Sequence, residues 1–162
     1  MLDFFQSYSY FGLFLILFLE EGGIPFPIPG DLFIAAVAAM PNSNYFLVVA
    51  IVMLSTVCGS TVLFSVSRKT GHYLITRFGK YIKIDLQKIK KIEGWFSKHG
   101  GKAIIIGRLV PGLRTVTPIV AGTFRLPYKT FWINTLIAAF IWANVYYVIG
   151  KFFGEIVLKL IK

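Results

Sequence analysis

Basic side chains are missing from the first 67 residues of this 162-residue chain; the first lysine or arginine is Arg68. That stretch carries four acids instead, Asp3, Glu20, Glu21 and Asp31. Charge is scarce everywhere: 15% of residues are charged against 56% hydrophobic, with a mean hydropathy of +0.72, which excludes the usual soluble balance. Cys58 is the lone cysteine, so no internal disulfide can form, and the residue is expected to be a small packing side chain. The start Met1-Leu2-Asp3 has no basic region, and Glu20-Glu21-Gly22-Gly23 interrupts the apolar run that follows, so a cleaved signal peptide is not expected. Gly-rich phosphate loops, nucleophile elbows and zinc motifs are absent from the sequence. His72 and His99 lie beside glycines with no Cys or acid at ligand spacing. Accordingly no catalytic residue, metal or cofactor is expected.

What the chain does have is length without charge. Leu32–Ser67 is uncharged over 36 positions and Thr130–Gly150 over 21. Either run supplies the ~20 apolar residues of a spanning helix. Neither shows the period-3.6 polar face of a soluble bundle. Trp132 reads as an interfacial belt residue, and Asn134 and Asn144 as groups able to bond across helices.

Residues 67–102 reverse the charge, with ten lysines and arginines. The positive-inside rule puts this segment in the cytoplasm. Its net charge belongs with anionic lipid headgroups, and no nucleic-acid partner is expected. Leu86, Ile89, Ile92 and Phe96 recur at helical spacing between lysines, which predicts an amphipathic helix on the membrane surface.

Prolines divide the apolar arms. Pro25, Pro27 and Pro29 alternate before Gly30-Asp31 and favour extended backbone there. The arms Tyr10–Leu19 and Leu32–Met40 on either side are short for a bilayer at ~1.5 Å per residue. Two half-length arms around a proline-rich tip describe a re-entrant hairpin, tolerated where protein or a wet cavity surrounds the tip. The pattern repeats as Ala103–Arg108, Pro111-Gly112 and Thr115–Phe124. Each unit then meets a proline-containing turn and a full span. The first hairpin opens outside, Tyr45–Val66 crosses inward and the second opens inside, giving an inverted repeat. The fold class is therefore an all-α integral membrane protein, a single domain made of a hairpin repeat (1–66), a basic connector (67–102) and a second repeat with tail (103–162). If Thr130–Gly150 crosses outward, Lys151, Lys159 and Lys162 lie outside unless Phe152–Ile161 folds back.

The hairpin breaks carry the chemistry. Arg108 and Arg114 flank Pro111-Gly112 in an apolar stretch, where an arginine at bilayer centre costs roughly 3 kcal/mol. Glu20, Glu21 and Asp31 surround Pro29-Gly30. Guanidinium groups suit lipid phosphate, and helix termini at Gly30 and Gly112 can add backbone N–H donors. Desolvation and nearby arginines pull a carboxylate in opposite directions, which permits coupling to protons. A plain structural ion pair between Arg108 and Asp31 is the competing reading.

Glu20…Pro27-Ile28-Pro29-Gly30-Asp31 and Gly107-Arg108-Leu109-Val110-Pro111-Gly112-Leu113-Arg114-Thr115 resemble the signature segments of the DedA family of bacterial membrane proteins, within the VTT-domain superfamily. So do Phe78-Gly79-Lys80-Tyr81, Trp95–Gly100, Pro118…Ala121-Gly122 and Asn134…Trp142…Gly150, and the likeness runs from about Glu20 to Gly154. The resemblance implies a multi-pass protein of the bacterial plasma membrane that moves polyprenyl phosphate or a phospholipid such as phosphatidylethanolamine, often with protons. It implies that Arg108 and Arg114 bind phosphate and that Glu20 or Glu21, with Asp31, supplies the acids; Glu20 is preferred because it ends the apolar arm. Ser60, Ser67 and Ala138 depart from the family pattern and would bear on substrate subtype. The other readings are a proton-coupled small-solute transporter or channel and an intramembrane lipid phosphatase. The lipid substrate, surrounding lipids, protons and further copies of the chain are the expected partners.

Overall fold

The computed structural model describes residues 2–24, 29–40, 43–70, 94–96, 98–110 and 113–161, with side chains from residue 8 to 154. In chain order the helices are α1 (Leu2–Glu21), α2 (Gly30–Ala39), α3 (Tyr45–Thr70), α4 (Gly101–Leu109), α5 (Val116–Thr123) and α6 (Tyr128–Ile161), and no strand occurs among the described residues. The expected surface helix at Leu86–Phe96 falls outside them except for Gly94–Phe96, which is helical.

Local chemistry sets the ends. Gly23, at φ 92°, closes α1 in a Schellman motif: its N–H donates to Glu20 O at 3.0 Å, and Ile24 N–H donates to Leu19 O at 3.0 Å. α5 ends the same way, with Arg125 at φ 53° where glycine is usual, and with Leu126 N–H on Ala121 O at 3.1 Å. Pro29 precedes α2 in extended backbone (φ −58°, ψ 133°), as expected at that position; Pro25–Ile28 lie outside the described residues. Pro118 is tolerated because it stands in the first turn of α5, where no intrahelical donor is lost.

The structure lengthens one arm and decides the course of the tail. α1 begins at Leu2, well before the apolar arm at Tyr10, because polar residues such as Gln6 and Ser7 do not interrupt a helix. α6 continues unbroken to Ile161, so the tail does not fold back at Phe152. α3 and the Tyr128–Gly154 part of α6 are each long and apolar enough to cross a membrane; the 26 residues of α3 span about 39 Å.

The chain forms two compact units, Met1–Gly59 with Ala139–Lys162, and Ser60–Ala138. The core of the first joins Leu13 and Leu17 of α1, Ile34 and Val37 of α2, Val48 and Val52 of α3 and Ala143 of α6. The core of the second joins Phe64 of α3, Ile104 of α4, Val120 of α5 and Phe131 of α6, with Phe64 and Phe131 stacked at 4.3 Å. Polar groups are buried beside these apolar cores, and large apolar side chains face outward. Ser55, Thr56, Ser60, Ser67, Glu21 and Arg108 are buried, whereas Phe46 is 81% and Phe11 65% exposed. Buried polar groups under apolar outer faces suit a hydrocarbon solvent. Cys58 corrects its expectation: it is exposed, in line with exposed Leu54 and Val62, because Ser55, Gly59 and Ser60 occupy the packed face of α3.

Candidate functional site

The acids of the first unit occupy three different environments. Glu20, the penultimate residue of α1, accepts a hydrogen bond from Gly30 N–H through Oε2 at 3.0 Å. It thereby caps α2, whose N-cap residue Pro29 offers no side-chain acceptor. This corrects the expectation that the Gly30 amide is available to an anion. The cap works because Gly30 has no Cβ: one would overlap Glu20 Oε2 and stand 2.6 Å from Leu17 Cδ2. Glu21 is fully buried. Gly59 of α3 lies against its stem, where an added Cβ would sit 2.8 Å from Glu21 Cβ. Asp31, half-buried in the first turn of α2, accepts from Trp142 Nε1 at 2.8 Å.

A polar aromatic cluster closes the other end of α2. Tyr45 O–H donates to Asn144 Oδ1 at 2.6 Å, Tyr147 O–H donates to Ser43 O at 3.3 Å, and the two tyrosine rings meet edge to face at 5.1 Å. Asn144 thus bonds across helices as expected. Asn134 donates to Thr130 O of its own helix at 2.7 Å, and its amide lies over Gly101 of α4.

The arginines belong to the second unit. Arg108, 3% exposed, sits in the last turn of α4, where the helix dipole favours a cation. Arg114 is half-buried in the turn before α5. Leu113 N–H donates to Val110 O at 3.1 Å across the tip, and Thr117 Oγ1 donates to Leu113 O at 2.7 Å. Thr117 also lies against Gly107, so α4 and α5 approach at a glycine. Pro111 and Gly112 lie outside the described residues. Among the described residues, the buried atoms Arg108 Nη1, Arg114 Nη2 and Thr135 Oγ1 take part in no hydrogen bond, though both arginines have interaction partners.

Two roles escape a reading of the sequence. Arg68, one of the basic run, donates from Nη1 to Leu126 O and lies over Tyr128, 5.0 Å from its ring centre. It thereby ties the end of α3 to the α5–α6 turn, where Lys69, Arg125 and Lys129 are exposed. Trp142 is the other: at half-burial it donates to Asp31, a partnership that its place in an apolar run does not announce. No local signal links positions 111 residues apart. His99 holds Trp95 O at 2.9 Å, and among the described residues no three His, Cys, Asp or Glu form a metal-binding group.

Long apolar helices, apolar outer faces and buried charges are those of a helical membrane protein. The VTT-domain family model matches residues 28–152, which takes in Asp31, Arg108, Arg114 and Trp142. The chain is 30% identical over 153 residues to the uncharacterized membrane protein YbfM of Bacillus subtilis, covering 93% of each. It is 35% identical over 150 residues to protein DedA of Escherichia coli K12 (89% of this chain, 68% of that one). It is 26% identical over 147 residues to undecaprenyl phosphate transporter A of Staphylococcus aureus (86% and 71%). This chain belongs to the VTT-domain family, the DedA proteins, and is a membrane protein. No solved structure matches it.

Proposed function

We propose that this protein is a lipid transporter of the bacterial plasma membrane, without enzymatic activity, that carries a lipid with a phosphate headgroup between leaflets. The substrate is polyprenyl phosphate or a phospholipid such as phosphatidylethanolamine. The observation that carries the reading is Arg108, a guanidinium at 3% exposure in an apolar hairpin with Arg114 at the same tip. A phosphate leaving water requires charged donors in fixed geometry, and arginine offers a planar fork that stays protonated. Similarity to a relative named for undecaprenyl phosphate transport supports the same class. Glu20, Glu21 and Asp31 supply the acids for coupling to protons, with Glu20 also shaping the hairpin through its cap on α2.

In this reading the two hairpins are re-entrant and inverted. Each unit has the same parts, a hairpin and two long-helix segments, which supports the repeat. Topology is testable by labelling in a Cys58→Ser background, needed because the native thiol is exposed. Asn44→Cys is expected to react only from outside and Lys88→Cys only from the cytoplasm. Reaction of both from one side would mean that α3 does not cross.

Purified protein in liposomes tests the function. Movement of labelled phosphate-headgroup lipid is expected; solute flux without lipid movement would favour the small-solute channel, and phosphate release the lipid phosphatase. With an imposed pH gradient, Asp31→Asn and Glu20→Gln are expected to lose most of the gradient effect. An effect as large as in wild type in both variants would leave these acids with structural roles alone.

A further inference from the structure

α6 meets α2 at glycines. A Cβ on Gly150 would stand 2.8 Å from Ala35 Cα, and one on Gly154 would stand 3.1 Å from Ala39 Cα. With the two backbones this close, a side chain two turns earlier on α6 reaches the first turn of α2. That side chain is Trp142, whose indole is tilted over Tyr146 at 4.8 Å and donates to Asp31 Oδ1 at 2.8 Å. One residue before Asp31, the Gly30 N–H is held by Glu20 Oε2. The start of α2 is therefore gripped from α1 at the backbone and from α6 at the carboxyl.

We infer that Trp142 is the positioning residue for Asp31, holding Oδ1 through the transport cycle while Oδ2 exchanges its partners. The inference rests on the reading of Asp31 as a transport acid. Its physical basis is the asymmetry of an indole. Nε1–H is a donor only, does not titrate in the physiological range and has no acceptor to offer a proton. A carboxyl group can keep accepting that bond at one oxygen whether the other oxygen is ionised or carries a proton. An amide or hydroxyl in the place of Trp142 would instead be free to turn and compete for the proton. In an apolar surrounding, a carboxyl without such a donor also loses a bond that water cannot replace. The group that remains would keep its chemistry and lose its aim.

Trp142→Phe keeps the ring and removes the donor. In proteoliposomes carrying fluorescent phosphatidylethanolamine or a short polyprenyl phosphate, it is expected to lower the maximal transport rate about ten- to a hundredfold, the loss of one hydrogen bond to a charged group. The lipid concentration at half-saturation should change little, because phosphate binding is assigned to Arg108 and Arg114. A purely structural loss would lower the amount of inserted protein without that split. An independent measurement follows the Trp142 indole N–H resonance, identified by its disappearance in Trp142→Phe: Asp31→Ala should shift it strongly, leaving the indole itself intact. Wild-type transport by Trp142→Phe, or an indole resonance unmoved by Asp31→Ala, overturns the assignment. If wild type moves neither lipid, the transport reading fails, and the resonance alone decides whether Trp142 positions Asp31.

Discussion

Alanine at Arg108 or Arg114 is expected to stop lipid transport in a protein that still inserts and folds. Arg108 occupies the last turn of α4 at 3% exposure, so a phosphate bound there trades water for guanidinium donors in a low-dielectric setting. Truncating one side of a buried charge pair costs about 2–5 kcal/mol, equivalent to some 30- to several-thousandfold in rate. Lysine should restore part of the activity at either position: it returns the charge but not the two-pronged geometry. The measurement is the initial rate of lipid movement in vesicles, normalised to inserted protein. Full activity in the double alanine variant would remove phosphate binding from this hairpin.

The second large effect concerns packing. Gly122→Ala is expected to destabilise the second unit by about 2–3 kcal/mol, at the upper end of the usual cost of overpacking. The added methyl would overlap Phe64 O and stand 2.9 Å from Ser67 Cβ and 3.1 Å from Arg68 N. Two of those three atoms are backbone, so relief requires α3 and α5 to part, and Phe64 and Val120 share one core. Gly12→Ala in α1 is the matched control: nothing lies within 4 Å of its Cβ position. The control should leave stability unchanged or raise it by up to about 1 kcal/mol through helix propensity. Unfolding in detergent micelles by denaturant separates the two. Equal stability of the Gly122→Ala variant and wild type would refute the close α3–α5 approach.

Membrane class, the positions of α3 and α6, the break at Pro29-Gly30 and that after Leu109 were legible in the amino-acid order. These features are local: charge-free runs and prolines act on their own neighbourhood, whatever packs against them. The pair of hairpin charges was legible for a related reason, since an arginine or acid in an apolar arm is costly and stands out without any structure.

Facing and partnership were not legible. Hydrocarbon and protein interior are about equally apolar, so hydropathy does not say which side of a membrane helix packs inward. Cys58 and Gly59 are adjacent in an uncharged run, yet one is exposed and the other buried against Glu21. Adjacent Glu20 and Glu21 look interchangeable in the chain. Only the return of α2 makes the first a cap for Gly30, while the approach of α3 buries the second. The indole of Trp142 reaches Asp31 because glycines on α6 admit the backbone of α2. Composition and proline placement determined which helices are long and apolar enough to cross a membrane and where helices break; close helix approach determined what Glu20, Glu21 and Asp31 each hold or lie against, because that depends on Cβ-free surfaces meeting across distant parts of the chain.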